Sequence, residues 1–480
     1  VKNPAAVEAP AGNRRWWVLA ALGLAQLMTT LDATVMNIAL PTAQAELEFS
    51  DANRAWILTA YTLAFGSLLL VSGRLADRFG RRSVLVIGLA GFAIVSAIGG
   101  AAVSFEMLVA ARAAQGVFAA LLAPAALALV TSTFPSGRDR GRAFGIFAAI
   151  SVAGSTIGLV LGGVLVEFLS WRWTMFINIA FAIPAIIGAL LLLPQAAGNR
   201  AVRIDAASTI TVTLGLLGLV YGFTNAGEDS WSAPLTIASL VLGTAFILVF
   251  FLLQPRIANP LLPLRVLRDR DRAGGLLAML VGFAGLLAVI FFSVYYVQGV
   301  LGWTAIQTGV AFLPQPLMLV IGGVFLGPRL NRRFGAKVVI PAGLLIAAVG
   351  VLLLLSLDGT SEYGPDILPT LLLLGLGLGL CFPIATGLST RGLESEDTGV
   401  GSALVGTVQQ VGGSVGLAVL NTVATTATAA YLAGRAPTAQ VTVHAVVDGY
   451  DVAYGGAAAL FIAAAITAAI VLRRRRVETP

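Results

Sequence analysis

Long apolar stretches alternate with short polar ones along the whole chain. Fourteen of the apolar stretches approach or exceed the ~20 residues a helix needs to cross a ~30 Å hydrocarbon core. The pattern predicts helices near 16–40, 53–73, 83–103, 107–132, 142–167, 173–193, 206–224, 234–254, 273–299, 305–327, 336–357, 366–390, 399–430 and 453–472. The stretch 399–430 is longer than a perpendicular crossing requires, so it must tilt, kink or protrude. The longest connections, 255–272 and 431–452, are too short for an extramembrane domain. The first helix reads as a retained span, because no small-residue cleavage pattern follows it. The expected fold class is an all-α membrane protein.

Composition agrees. Hydrophobic residues make up 58% of the 480 and charged residues 11%, against roughly 25% charged in soluble domains. The net charge is +7, yet Lys2 and Lys337 are the only lysines among 30 basic residues. All but four of the 30 fall on the termini or in loops after even-numbered helices; the others are Arg54, Arg172 and Arg435 on the opposite side and Arg112 inside a span. This asymmetry predicts cytoplasmic termini and explains the basic balance better than nucleic-acid binding, for which no module is visible. Trp16, Trp17, Trp56, Trp171, Trp173, Trp231 and Trp303 lie at or near predicted helix ends, where indole rings favour the interface. One cysteine, Cys381, and one histidine, His444 in what reads as a polar loop, exclude an intrachain disulfide and a thiolate or histidine metal site. No nucleophile–base pair, metal site or phosphate loop suggests an enzyme or a cofactor.

The chain also repeats itself. Leu75-Ala76-Asp77-Arg78-Phe79-Gly80-Arg81-Arg82 after helix 2 resembles Leu330-Asn331-Arg332-Arg333-Phe334-Gly335-Ala336-Lys337 after helix 10, with Arg332 replacing the acid. Two related six-helix bundles are expected, with two helices inserted between them. The implied division is a tail over 1–15, a first bundle over 16–195, two inserted helices over 196–255, a linker over 256–272, a second bundle over 273–472 and a tail over 473–480. Parallel repeats of this kind place a substrate site near the midplane between the halves.

Asp32 is the one carboxylate well inside a predicted span, and burying an ionisable group there is costly enough to suggest function. It lies ~12 Å from the outer surface by helical rise, and Arg112 lies ~9 Å from the same side. If helices 1 and 4 are neighbours, the two meet. Low dielectric favours the neutral acid and a guanidinium favours the carboxylate, so Asp32 can exchange protons as its surroundings change. The competing reading is a permanent ion pair that fixes packing; for Arg112, the competing readings are an anchor for an anionic substrate group or a side chain snorkelling outward. A structure with Asp32 sealed from both aqueous faces and from the central cleft would count against proton coupling. Gln115, one turn from Arg112, and Gln26, Gln315, Gln409 and Gln410 are further polar groups in apolar spans, suited equally to substrate contact or to interhelical hydrogen bonds. Tyr61, Phe65, Phe118, Phe292 and Tyr295 are candidate aromatic lining, with plain packing as the alternative. Gly154, Gly158 and Gly162 on helix 5, and Gly412 and Gly416 on helix 13, form smooth stripes for close backbone approach, as packing or as a sliding contact between the halves. Glu167 reads as solvated or as a secondary proton acceptor.

Several of these residues fall in motifs. LDATVMNIALP at Leu31–Pro41, GRLADRFGRR at Gly73–Arg82, Leu108, Arg112, Gln115 and Gly116 on helix 4, and Gly154, Gly158, Gly162 and Gly163 on helix 5 resemble the major facilitator superfamily in its fourteen-helix drug:proton antiporter branch. WRW at 171–173 with Asn178, then Gln298, Gly302, Gly309, Pro314 and Gln409-Gln410-Val411-Gly412-Gly413, fit the same resemblance, which departs at Leu159, where proline is usual. It implies a proton-coupled efflux carrier of small hydrophobic or amphipathic compounds, monomeric in the plasma membrane, whose partners are its substrates, protons and lipids. The cytoplasmic loop residues Gly73, Asp77, Arg78, Gly80 and Arg81 read as a gate latch holding one half against the other, with a topogenic basic loop and turn as the alternative. An importer or a lipid translocase of the same fold are the other transport readings; a non-transport sensor has no signalling domain to support it.

Overall fold

The computed structural model describes residues 14–51, 53–134, 137–194, 198, 205–257, 260–262, 264–358, 361–390, 398–433, 435 and 438–473. Most of both tails (1–15 and 473–480), Lys2, Arg200, Arg203, Arg391, Arg474, Arg475, Arg476 and parts of the 196–255 and 256–272 segments lie outside the described residues. Among the described residues, thirteen straight helices and one bent pair are long and apolar enough to cross a membrane. They are α1 (Arg14–Leu47), α2 (Trp56–Phe79), α3 (Arg81–Gly100), α4 (Phe105–Thr133), α5 (Gly137–Phe168), α6 (Trp173–Leu192), α7 (Ala206–Glu228), α8 (Pro234–Leu253), α9 (Arg270–Val300), α10 (Ala305–Phe334), α11 (Ala336–Ser356), α12 (Tyr363–Thr390), α13 (Thr398–Leu432) and α14 (Ala439–Val471).

The order matches the hydropathy pattern, but several ends move. α2 continues through Gly73, Asp77 and Arg78 to Phe79, so those residues are helical and the turn is confined to Gly80. Gly80 (φ 93°) and its repeat partner Gly335 (φ 78°) both sit in the left-handed region that a side chain disfavours. α2 bends by 59° between Trp56–Leu69 and Val71–Phe79. Ser67 and Ser72 lie beside the bend and donate back to the carbonyls of Ala64 and Leu68, a bond that bends helices. α14 begins at Ala439, so His444 is on an exposed helical turn and not in a loop. Thr438 caps that start, its hydroxyl accepting from the Val441 amide. Trp171 is fully buried and donates to Glu46 at 2.6 Å, so it is no lipid anchor.

Neighbours repeat between the halves. α1 packs on α5 and α6, α2 on α4, and α3 on α4 and α6. In the same way α9 packs on α13 and α14, α10 on α12, and α11 on α12 and α14. The glycine stripes belong to this internal packing. Gly154 and Gly158 of α5 abut Thr30 and Thr34 of α1, and Gly162 abuts Val35; Gly412 and Gly416 of α13 abut Leu280 and Ala284 of α9. The close glycine contacts between the halves are instead those of Gly163, against Ile306, and Gly309, against the Leu159 carbonyl.

The halves meet through α2 against α13 and α5 against α10, two crossings related by the repeat. Several polar contacts cross this boundary toward the end remote from Arg14 and Val471, here called the distal end. The Thr62 and Ser414 hydroxyls are 2.5 Å apart. Gln298 donates to the Ile38 carbonyl at 3.2 Å, and the Ile306 amide donates to Glu167 at 3.3 Å, so Glu167 is engaged across the seam. The distal end is shut. α7 packs on α8 and also on α2 and α13, with Thr422 donating to the Phe223 carbonyl at 2.6 Å. The inserted pair therefore covers one of the two seams.

Candidate functional site

The first half closes around one buried polar network. Arg112 Nη1 donates to Asp32 Oδ2 at 2.6 Å and to Gln115 Oε1 at 2.8 Å, while its Nε donates to the Ile57 carbonyl at 3.2 Å. Gln115 Nε2 donates to Asp32 Oδ1 at 3.2 Å and to Ser96 Oγ at 2.7 Å. Asn178 Nδ2 donates to Asp32 Oδ1 at 2.7 Å and to Ser96 Oγ at 3.3 Å. The Tyr61 ring centroid lies 4.4 Å from the Arg112 guanidinium carbon. Five helices contribute: α1, α2, α3, α4 and α6.

Local structure explains the convergence. The small residues of α5 let α1 approach closely, and Gly116 of α4 lies against the Tyr61 carbonyl and the Phe65 amide of α2. Arg112 and Gln115, three residues apart, share a face of α4. Asp32 and Arg112 are each about 1% exposed. Removing two ions from water costs several kcal/mol each. Here the cost is offset by a charge pair of 2.6 Å and by two amide donors on the other carboxylate oxygen. Asn178 Oδ1 is the network atom left without a hydrogen-bond partner among the described residues. Asp32 is thus sealed in this conformation, the outcome that counts against proton coupling, and a coupling role requires a second conformation in which water reaches the carboxyl.

The other expected site residues separate into groups. Phe65 and Gln26 are half-buried on α2 and α1. Phe118 lies in the α3–α4 packing, its ring against Gly91, and not in a cleft. Gln410 sits on the α2–α13 seam beside Gly66, Gln409 is half-buried next to it, and Gln315 is buried where α10 meets Gly375 of α12. Phe292 and Tyr295 are buried at the distal end of α9. Asp77 Oδ1 accepts from Arg81 at 3.2 Å across the Gly80 turn, an ion pair within the first half. Gly73 has no neighbour near its missing side chain, and Arg78 lies 5.7 Å over Phe79. Sequence reasoning missed Ser96 as a network member and Asn178 as a donor to Asp32. The available signal was a polar side chain in each of two otherwise apolar helices.

The sequence profile of the Major Facilitator Superfamily matches residues 22–417. The chain belongs to this superfamily. Among superfamily relatives, it is 43% identical to the puromycin resistance protein pur8 of Streptomyces alboniger over 464 residues, which is 96% of this chain and 92% of that one. It is 38% identical to the cephamycin export protein CmcT of Amycolatopsis lactamdurans, covering 83% of each chain. In fold it is similar to the crystal structure of a bacterial homologue of the human lysosomal transporter Spinster in its inward-facing and occupied conformation. That match has a TM-score of 0.67 and 16% identity, and covers 96% of this chain and 97% of the other. The chain is therefore a multi-pass membrane protein of a transporter superfamily.

Proposed function

We propose that this protein is a proton-driven efflux carrier for small hydrophobic or amphipathic compounds, a member of the fourteen-helix drug:proton antiporter branch. The observation that carries the reading is the likeness, over nearly the full length of both chains, to a resistance protein at 43% identity. The mirrored bundles support it, because two halves that meet at repeat-related seams can rock about a site between them. The loop charges favour cytoplasmic termini, which would make the shut distal end the outer one. The protein acts as a monomer and as a carrier, not an enzyme.

Asp32 is the proposed proton carrier. Its sealed state, paired with Arg112 and hydrogen-bonded to Gln115 and Asn178, is one end of the cycle. Movement of α4 against α1 that lengthens the Arg112 contact and admits water would give the carboxyl a path for proton exchange. A proton on Oδ1 then requires an acceptor, and turning over the Asn178 amide presents its unpartnered Oδ1. Proton and substrate each shift the equilibrium only by their differential affinity for the two orientations.

The test uses proteoliposomes that enclose a pH-sensitive dye and carry an imposed gradient. Lipophilic cations, neutral antibiotics and lipids are offered in turn. Export-direction flux linked to proton movement is expected for at least one of the first two classes. Flux of lipids alone, or flux in the same direction as protons, would replace efflux with translocation or import.

A further inference from the structure

Arg54 ends the distal loop before α2 and is 4% exposed. Its guanidinium carbon is 4.3 Å from the Tyr295 ring centroid, 5.3 Å from Phe291, 5.4 Å from Tyr450 and 5.8 Å from Phe292. Its Nη1 donates to the Tyr450 hydroxyl at 3.1 Å and its Nε to Asn421 Oδ1 at 3.5 Å. Every one of these partners belongs to the second half, on α9, α13 or α14. From its own half comes Asp51, 3.6 Å away and 58% exposed. A cation of one half is thus inserted into a four-ring cage of the other.

The cage is built locally. Phe291, Phe292 and Tyr295 are within one turn of α9, and Tyr450 comes from the distal extension of α14. The negative ring faces attract a cation most strongly when it has left water. The Tyr295 hydroxyl is buried and makes no hydrogen bond among the described residues, so the cage offers a polar atom that Arg54 does not use. When the distal end opens, the start of α2 must withdraw. Arg54 leaves with its counter-charge, Asp51, while the rings stay with α9 and α14 and face the cleft.

We propose that this cage is a binding site for the cationic group of a substrate, an organic ammonium or phosphonium, and that Arg54 is a tethered competitor occupying it whenever the distal end is shut. Closure then returns Arg54 to the rings and expels the cation. The proposal rests on the carrier reading for the opening movement, but the binding itself needs no transport.

Equilibrium binding of radiolabelled tetraphenylphosphonium to the full chain in lipid nanodiscs tests it. Arg54→Gln is expected to tighten binding by about tenfold, because the competitor is gone. Arg54→Lys should stay near wild type, and adding Tyr295→Leu to Arg54→Gln should remove the gain. An unchanged affinity in monodisperse Arg54→Gln protein overturns the proposal. If that variant does not fold, spin labels at Ser50→Cys and Ala429→Cys, both exposed at the distal end, report on a chain that keeps Arg54. Saturating tetraphenylphosphonium should lengthen the distance between them, and an unmoved distribution overturns the proposal. Neither readout uses a gradient, so a protein that binds the cation but exports nothing would sink the efflux reading and leave the cage standing.

Discussion

The two bundles share one arrangement of helices and fill their interiors with different chemistry. In the first, Gly154 and Gly158 of α5 rest on Thr30 and Thr34 of α1, with Asp32 between them. In the second, Gly412 and Gly416 of α13 rest on Leu280 and Ala284 of α9, with Gly282 between them in sequence. The space beside Gly282 is occupied by Phe382 of α12, stacked on Phe283 with centroids 4.5 Å apart. One half thus holds a buried carboxylate and guanidinium beside its close-packed first helix, and the other holds two stacked phenyl rings beside its own. The comparison teaches that the second bundle packs its middle without such a pair; its buried charges among the described residues, Asp271 and Arg272, sit at the first turn of α9. The Asp32–Arg112 pair carries a desolvation cost that two stacked phenyl rings do not.

The strongest way to break that comparison is Asp32→Asn, which keeps the shape and removes the charge. Gradient-driven flux in proteoliposomes should fall to background while the protein inserts normally; full gradient-driven flux would remove Asp32 from the mechanism. Next is Arg112→Leu, which strands a buried carboxylate and should cost ~3–5 kcal/mol of stability. Thermal unfolding in nanodiscs measures this, and adding Asp32→Asn should return part of the loss. If the single variant is as stable as wild type, the pair is not the coupled, water-free unit described here. On the other side, Gly282→Ala places a methyl carbon 2.7 Å from the Phe382 ring and should cost ~1–3 kcal/mol by overpacking. No change in melting temperature would mean that the aromatic plug is loose. The smallest effect is expected from Asp77→Asn, whose Arg81 partner is half-exposed and within the same half. Turnover should drop severalfold with substrate affinity unchanged, as read by initial rates beside equilibrium binding; wild-type turnover would argue against a latch.

Much of the architecture was legible because it is set by local periodicity and by solvent. An apolar run long enough to cross a membrane must satisfy its own backbone hydrogen bonds, so it is helical whatever its neighbours are. The repeat was visible through Phe79-Gly80 and Phe334-Gly335, because a positive φ at the turn constrains residue choice. The N-terminal extension of α14 was hidden by polar residues such as Thr442, His444 and Asp448, which lower hydropathy without ending a helix. The direction faced by the glycine stripes was also hidden, because a stripe specifies close approach but not the partner.

The chain by itself determined the number and order of the spans, that Asp32 and Arg112 lie within them, and the family to which it belongs, all of which follow from the spacing of residue types along one strand of polymer. Only the tertiary structure decided that Ser96 and Asn178 complete the Asp32 network, that Phe118 is packed away, and that Arg54 crosses to the aromatic rings of the other half. Those facts depend on which helix faces of distant segments touch. In a lipid solvent that contact is chosen by side-chain shape and hydrogen bonding between helices, quantities to which hydropathy is blind.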